Sequence, residues 1–197
     1  VPIPRRKPSW KAFSHDAFRL AIRETNRGAG IQTKFRKGGS KMSKKLYNEV
    51  VREALIEEMK RDESVFLLGE DIEAYGGAFR VTLGLAYMFG SERVRDTPIS
   101  EQATTGISIG AAIAGMRPVC EMMYMDWIGL TLDQLVNLGS LLHYVWNGQV
   151  SVPMVLRTQG GARASASAQH SKSLEAWLCH IPGLKVIMPS TPYDAKG

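Results

Sequence analysis

Four short apolar runs are spaced along the chain, at 65–68, 118–123, 153–157 and 184–188, with longer stretches of different pattern between them. Such runs, apolar without alternation, suit strands covered on both faces, the usual condition of a parallel sheet. Helical patterns lie at 100–115, about 130–145 and about 173–180, so strand and helix alternate repeatedly. Ahead of the first run, Leu46, Val50, Val51, Ala54, Leu55 and Met59 recur at three- and four-residue spacing. They predict an amphipathic helix ending near Arg61-Asp62. The fold class that follows is α/β: a doubly wound, mostly parallel sheet with its function at the carboxyl ends of the strands. Near the end of the chain, Thr191 stands as a helix N-cap, Pro192 at the first helical position and Asp194 at the positive end of the dipole. The chain stops at Gly197 inside this announced helix, so the domain is expected to be truncated at its C-terminal end.

Charge separates this domain from what precedes it. Residues 1–45 carry thirteen Lys or Arg against Asp16 and Glu24, a net +11 that leaves −5 for the rest of a +6 chain. The basic charge thus belongs to a leader, without interleaved aromatics on a recognised fold, and nucleic-acid binding is not expected. Residues 1–41 are read as a basic extension or linker, poorly ordered, and 42–197 as the domain. Lys37-Gly38-Gly39-Ser40-Lys41 has linker composition, and 10–23 could form a basic amphipathic turn or two, compatible with a transit peptide or simply with an upstream extension. No apolar run approaches the roughly 20 residues that span a bilayer, so no membrane partner is expected. Cys120 and Cys179 sit in apolar segments away from metal-ligand spacing, which fits a reducing compartment. The expected location is the cytoplasm, or the mitochondrial matrix if 1–41 is a transit peptide.

Chemistry concentrates between 93 and 115. Asp96-Thr97-Pro98-Ile99-Ser100 leads to Glu101 at the start of a helix whose Gly106, Gly110 and Ala114 fall on one face. Interior glycine costs about 0.5–1 kcal/mol relative to alanine, so this face calls for close approach of another backbone, within the domain or from a second subunit. An acid in a first helical turn is commonly there for the dipole alone.

The surrounding motifs are more specific. Gly69-Glu70-Asp71, Tyr75-Gly76-Gly77, the 96–101 run, Gly115-Met116-Arg117-Pro118, Asp133-Gln134, Ala168-Gln169-His170-Ser171, Pro182-Gly183-Leu184-Lys185-Val186 and Asp194-Ala195-Lys196-Gly197 occur in that order. Over 42–197 the chain is similar to the beta subunit of the thiamin-diphosphate-dependent decarboxylating component of 2-oxo acid dehydrogenase complexes. It corresponds to about the first half of such a subunit, the transketolase-like pyrimidine-binding domain.

The resemblance implies site residues. Glu101 matches the glutamate that bonds N1′ of the cofactor's aminopyrimidine and so helps deprotonate C2 of the thiazolium. The carbonyl of Ile99 matches an acceptor for the 4′-amino group. Met123 and Trp127 match positions lining the pyrimidine, although by residue type an indole here could equally fill the core. His170, in a loop rich in small residues, matches a histidine facing the substrate side, with a role in proton transfer or in steering the lipoyl acceptor. By itself a loop histidine is usually only solvated. Arg163 lies in the same loop as a candidate carboxylate or lipoyl-domain contact. Met154 matches a main-chain potassium ligand.

A diphosphate requires magnesium and oxygen ligands or a glycine-rich helix start, and the nearest candidate, Gly69-Glu70-Asp71, lacks the Gly-Asp-Gly motif that thiamin enzymes use. In the family that motif is on the alpha subunit, which implies an alpha-two beta-two assembly, with magnesium held mainly by the alpha chain and a lipoyl-bearing acyltransferase as the acyl acceptor. Pyruvate is the expected substrate, with acetoin and branched-chain 2-oxo acids as alternatives. An inactive, truncated interaction module is the non-enzymatic alternative.

Overall fold

The computed structural model describes residues 18–24 (backbone only), 45–162 and 166–197. The first strand, β1 (Phe18–Glu24), is followed by helix α1 (Tyr47–Arg61), β2 (Val65–Gly69), α2 (Leu85–Phe89), β3 (Val94–Asp96), α3 (Glu101–Ile113) and β4 (Arg117–Glu121). A 3-10 turn (Met125–Trp127), α4 (Ile128–Asp133), a π-helical turn (Gln134–Gly139) and α5 (Leu142–Val145) lead into β5 (Val155–Gly160), α6 (Glu175–Cys179), β6 (Leu184–Ile187) and α7 (Pro192–Lys196). The six strands form one sheet in the order β3-β2-β4-β5-β1-β6, and every described pairing is parallel.

Successive strand residues face opposite sides of the sheet, and this splits the core in two. Phe66, Leu68 and Cys120 pack on one face with Ile109 and Ala112 of α3, Ile128, Leu135 and Leu178. Val65, Leu67 and Val119 pack on the other with Met59 of α1, Ile72, Leu85 of α2 and Val94. Helices thus cover both faces, as the apolar runs without alternation required. Arg93 joins the layers at one end, its guanidinium donating to the carbonyls of Met59, Asp62 and Val65.

Two local features differ from the sequence reading, and a third agrees with it. The helical turn expected in 10–23 gives way to β1, which lies between β5 and β6 with Arg19 opposite Val155 and Lys185. Phe18, Leu20 and Ile22 alternate with Arg19, Ala21 and Arg23, a period-two pattern that favours strand over helix. The rest of 1–41, including the proposed linker, lies outside the described residues. The helix expected over 130–145 is divided by the π-helical turn, where Gly139 lies against Ile109 of α3. The helix start at Thr191 forms as expected, its hydroxyl accepting from the backbone N–H of Asp194 at 3.2 Å.

Gly69 closes β2 beside the end of β4, and a Cβ built on it would stand 2.6 Å from the carbonyl oxygen of Glu121. Overfilling a packed site typically costs about 1–3 kcal/mol. Gly69→Ala is expected to lower the stability of the folded chain by that amount in urea titration. An unchanged midpoint would show that β2 and β4 part freely here.

Candidate functional site

From β2 the chain moves outward to β3, then returns to the other side of β2 to form β4 and β5. The reversal places a topological switch between β2 and β4, where the loops leaving adjacent strands diverge and open a crevice at their carboxyl ends. Glu70 follows β2, Thr97 follows β3 and Glu121 and Met122 follow β4, while α3 starts at Glu101. These residues, with Thr104, Thr105 and Cys120, line a narrow cleft that opens to solvent.

Three carboxylates therefore converge on one cleft. Glu101 is half-buried in the first turn of α3, where the dipole favours negative charge. The turn is held from below by Thr104, whose hydroxyl donates to the Ser100 carbonyl at 3.0 Å, and by the Thr97 N–H, which donates to Gly69 at 2.9 Å. Burial raises the pKa of Glu70, and the nearby charges of Glu101 and Asp71 raise it further. A proton is thus retained more readily at this end of the cleft than on a free carboxylate.

The third carboxylate is compensated. Glu121 is ion-paired to Arg157 of β5, both side chains are nearly buried, and neither Glu121 Oε2 nor the Nε and Nη2 of Arg157 finds a hydrogen bond elsewhere among the described residues. In Tyr75-Gly76-Gly77, the second glycine packs against Glu121 of this pair. A Cβ on Gly77, which has φ +73°, would stand 2.8 Å from Glu121 Oε1, and Gly76, at φ +83°, lies against the backbone of Leu83. Both glycines of the motif are thus required by turn geometry and close approach.

Burial pushes the Cys120 thiol up to about 11 from its ordinary 9.0, and hydrogen bonding with Ser108 and Thr105 offsets only part of that rise. The raised value means that the neutral thiol favours the fold fully below about 9 and that this contribution is lost as pH climbs through about 11. At pH 8 a maleimide should label exposed Cys179 and spare Cys120 until the chain is unfolded. Rapid native labelling of both, followed by mass spectrometry, would contradict the closed base of the cleft.

Beyond Met122 the chain turns through Tyr124 and Trp127 toward His170. The imidazole lies edge-on to Tyr124 with ring centroids 4.3 Å apart, and to Trp127 at 6.3 Å. Ser167 Oγ is 3.3 Å from His170 Nδ1. Two residues on, Lys172 Nζ pairs with the buried carboxylate of Asp126 at 3.0 Å and its backbone N–H donates to the same group. The segment that floors the cleft with Glu121 and Met122 therefore also fastens the stretch carrying His170.

The sequence pattern described as transketolase, pyrimidine binding domain, matches residues 43–197. The chain belongs to the transketolase pyrimidine-binding-domain family. Among relatives, it is 50% identical over 149 residues to the chloroplastic pyruvate dehydrogenase E1 component subunit beta-4 of Oryza sativa subsp. japonica, covering 76% of this chain and 37% of the relative. It is 46% identical over 149 residues to the mitochondrial pyruvate dehydrogenase E1 component subunit beta of Bos taurus, covering 76% and 42%. It is also 46% identical over 156 residues to the 2-oxoisovalerate dehydrogenase subunit beta of Bacillus subtilis, covering 79% and 48%. The chain thus spans between about a third and a half of the length of these curated relatives. A split-gene transketolase, solved as an inactive beta4 tetramer, shares the fold at a TM-score of 0.56 and 18% identity, covering 76% of this chain and 44% of that one.

Within this pyrimidine-binding domain, the residues expected to be functional fall in two neighbouring groups. Glu101 reaches the cleft, and Ile99, two residues before it, is 82% exposed at the mouth of the loop. Trp127 and His170 lie edge-on to each other, and the indole also packs on the core, as the core-filling reading expects. Met123 is half-buried, but the methionine that lines the carboxylate cleft is Met122. Met154 is buried in the core just ahead of β5. Arg163 lies outside the described residues. On α3, Gly106 faces Gln134 of the same chain, a Cβ on it lying 3.3 Å from Oε1, whereas Gly110 faces open space. The small-residue face therefore serves internal packing at one end and is free at the other.

Sequence reading passed over Glu70 as a neighbour of Glu101, and missed Glu121, Arg157 and Tyr124. Glu121 and Arg157 had a signal: each is a charge inside a strand otherwise covered on both faces. Tyr124 had none, since its partners come from distant parts of the chain.

Proposed function

We propose that this domain is the pyrimidine-binding part of a beta subunit of a 2-oxo acid dehydrogenase, which activates thiamin diphosphate for decarboxylation of pyruvate and acyl transfer to a lipoyl domain. The observation that carries the reading is Glu101 at the start of α3, opening with Glu70 onto a cleft at the sheet's switch point. Carboxyl groups at a partly buried site, one with its pKa raised, form a donor set that fits a protonatable aminopyrimidine. When bound, the cofactor supplies the carbanion chemistry at its thiazolium ring.

The chain's own residues bind and orient. With the cofactor bound, Glu101 would share a proton with the pyrimidine N1′, the Ile99 carbonyl would receive the 4′-amino group, and Met123 and Trp127 would line the ring. His170 stands toward the substrate and moves a proton there or meets the lipoyl acceptor. Among the described residues no group of three His, Cys, Asp or Glu side chains could hold a metal ion. The reading accordingly assigns the diphosphate and its magnesium to an alpha subunit in an alpha-two beta-two assembly. It also assigns potassium to main-chain oxygens that include Met154.

The names of the rice and bovine relatives favour pyruvate, while the Bacillus relative keeps a branched-chain 2-oxo acid as a second reading. Specificity constants of the assembled alpha and beta chains for pyruvate and 2-oxoisovalerate are expected to favour pyruvate. A preference for the branched acid would move the assignment, and turnover of neither would overturn it.

A further inference from the structure

We propose that Tyr124 is a positioning residue for His170, an inference that rests on the reading of His170 as a substrate-facing group. The two rings meet edge-on, at an interplanar angle of 87°, and Phe79 closes the far side of Tyr124 at 5.5 Å between centroids. Phe79 is itself fixed from α1: Asn48 Nδ2 donates to its carbonyl at 3.1 Å, and Arg52 donates to the carbonyls of Arg80 and Val81 that follow. A line of support runs from a long helix through Phe79 and Tyr124 to an imidazole whose own stretch of chain has no regular secondary structure.

Two further contacts give the stack a defined direction. Ser167 takes Nδ1 of His170 and is held at φ +69°, a conformation that a non-glycine residue adopts only when its surroundings impose it. No described residue engages Nε2. Asp126, two positions after Tyr124, pins Lys172, two positions after His170, so backbone and ring are referenced to the same short segment. Tyr124 thus fixes the plane of the imidazole, Ser167 fixes which nitrogen turns inward, and Nε2 is the atom left to act.

The test separates this role from that of His170 itself. In the chain labelled with 13C-histidine, His170 is assigned among the four histidines by the signal lost in His170→Gln. Its ring resonance is expected to carry a ring-current shift that Tyr124→Phe keeps and Tyr124→Leu reduces to the part contributed by Trp127. In the assembled full-length alpha and beta chains, Tyr124→Leu is expected to lower kcat by roughly 3- to 10-fold with KM for the 2-oxo acid within about 2-fold, and Tyr124→Phe to restore kcat. Full activity of Tyr124→Leu beside an impaired His170→Gln would overturn the positioning role alone. Full activity of His170→Gln would overturn the reading of His170 on which it rests. Failure of Tyr124→Phe to restore kcat would show that the hydroxyl, and not the ring stack, is what matters.

Discussion

Glu101→Gln, introduced into a full-length beta chain and assembled with its alpha partner, is expected to lower turnover by about 10²–10⁴-fold, the range typical of a lost acid–base contact. Glutamine keeps the length, the shape and a carbonyl acceptor, but its amide cannot share a proton with a ring nitrogen. Because the substituted side chain still fits the first turn of α3, the fold should be preserved, with Thr104 and Thr97 continuing to hold that turn. Loss of charge at a partly buried helix start costs at most about 2 kcal/mol, too little to unfold the domain. The substitution also removes one of the charges that raise the pKa of Glu70, so that carboxyl gives up a proton more readily. Turnover close to wild type would sink the assignment of Glu101, and binding of thiamin diphosphate measured alongside separates loss of chemistry from loss of the ligand.

The architecture was legible because it rests on local pattern. Runs such as 65–68 must be covered on both faces, and helices on both sides of the sheet supply the cover. The cap at Thr191 was legible for the same reason, since all its partners lie within three residues. β1 was obscured by composition: three charged residues among seven drew attention away from its period-two alternation. The π-helical turn at 134–139 depends on Gly139 meeting Ile109 of another helix, which a periodic pattern does not record. In the site, Glu101 stood out through its motif, whereas its environment did not. Glu70, Glu121 and Glu101 are separated by 20 to 51 positions and meet only because three parallel strands end at one edge. The surroundings of His170 were hidden in the same way, since Tyr124 reaches it from a distant loop and Phe79 backs Tyr124 from another.

Arg157→Met is expected to destabilise the fold by about 3–5 kcal/mol, because it leaves Glu121 charged, nearly buried and without its ion-pair partner. The surroundings offer little relief. Gly77 closes over one carboxylate oxygen, Gly69 lies against the backbone of Glu121, and the other oxygen has no hydrogen bond to fall back on. Glu121→Leu should be costly for the converse reason, stranding the guanidinium of Arg157. Replacing both at once removes the unpaired charge from either side, so the double variant is expected to be within about 1 kcal/mol of wild type or more stable. Urea unfolding of the four proteins forms a closed cycle, and additive losses in the double variant would show that the two groups do not act as a pair. The cycle also bears on function: Glu121 lines the same cleft as Glu101 and Glu70, and Arg157 holds the nearest positive charge to it among the described ion pairs. A stable double variant with impaired turnover would mean that the pair is kept to set the electrostatic field of the cleft. A stable double variant with full turnover would confine the pair to closing the turn at Gly76 and Gly77 over the end of β4.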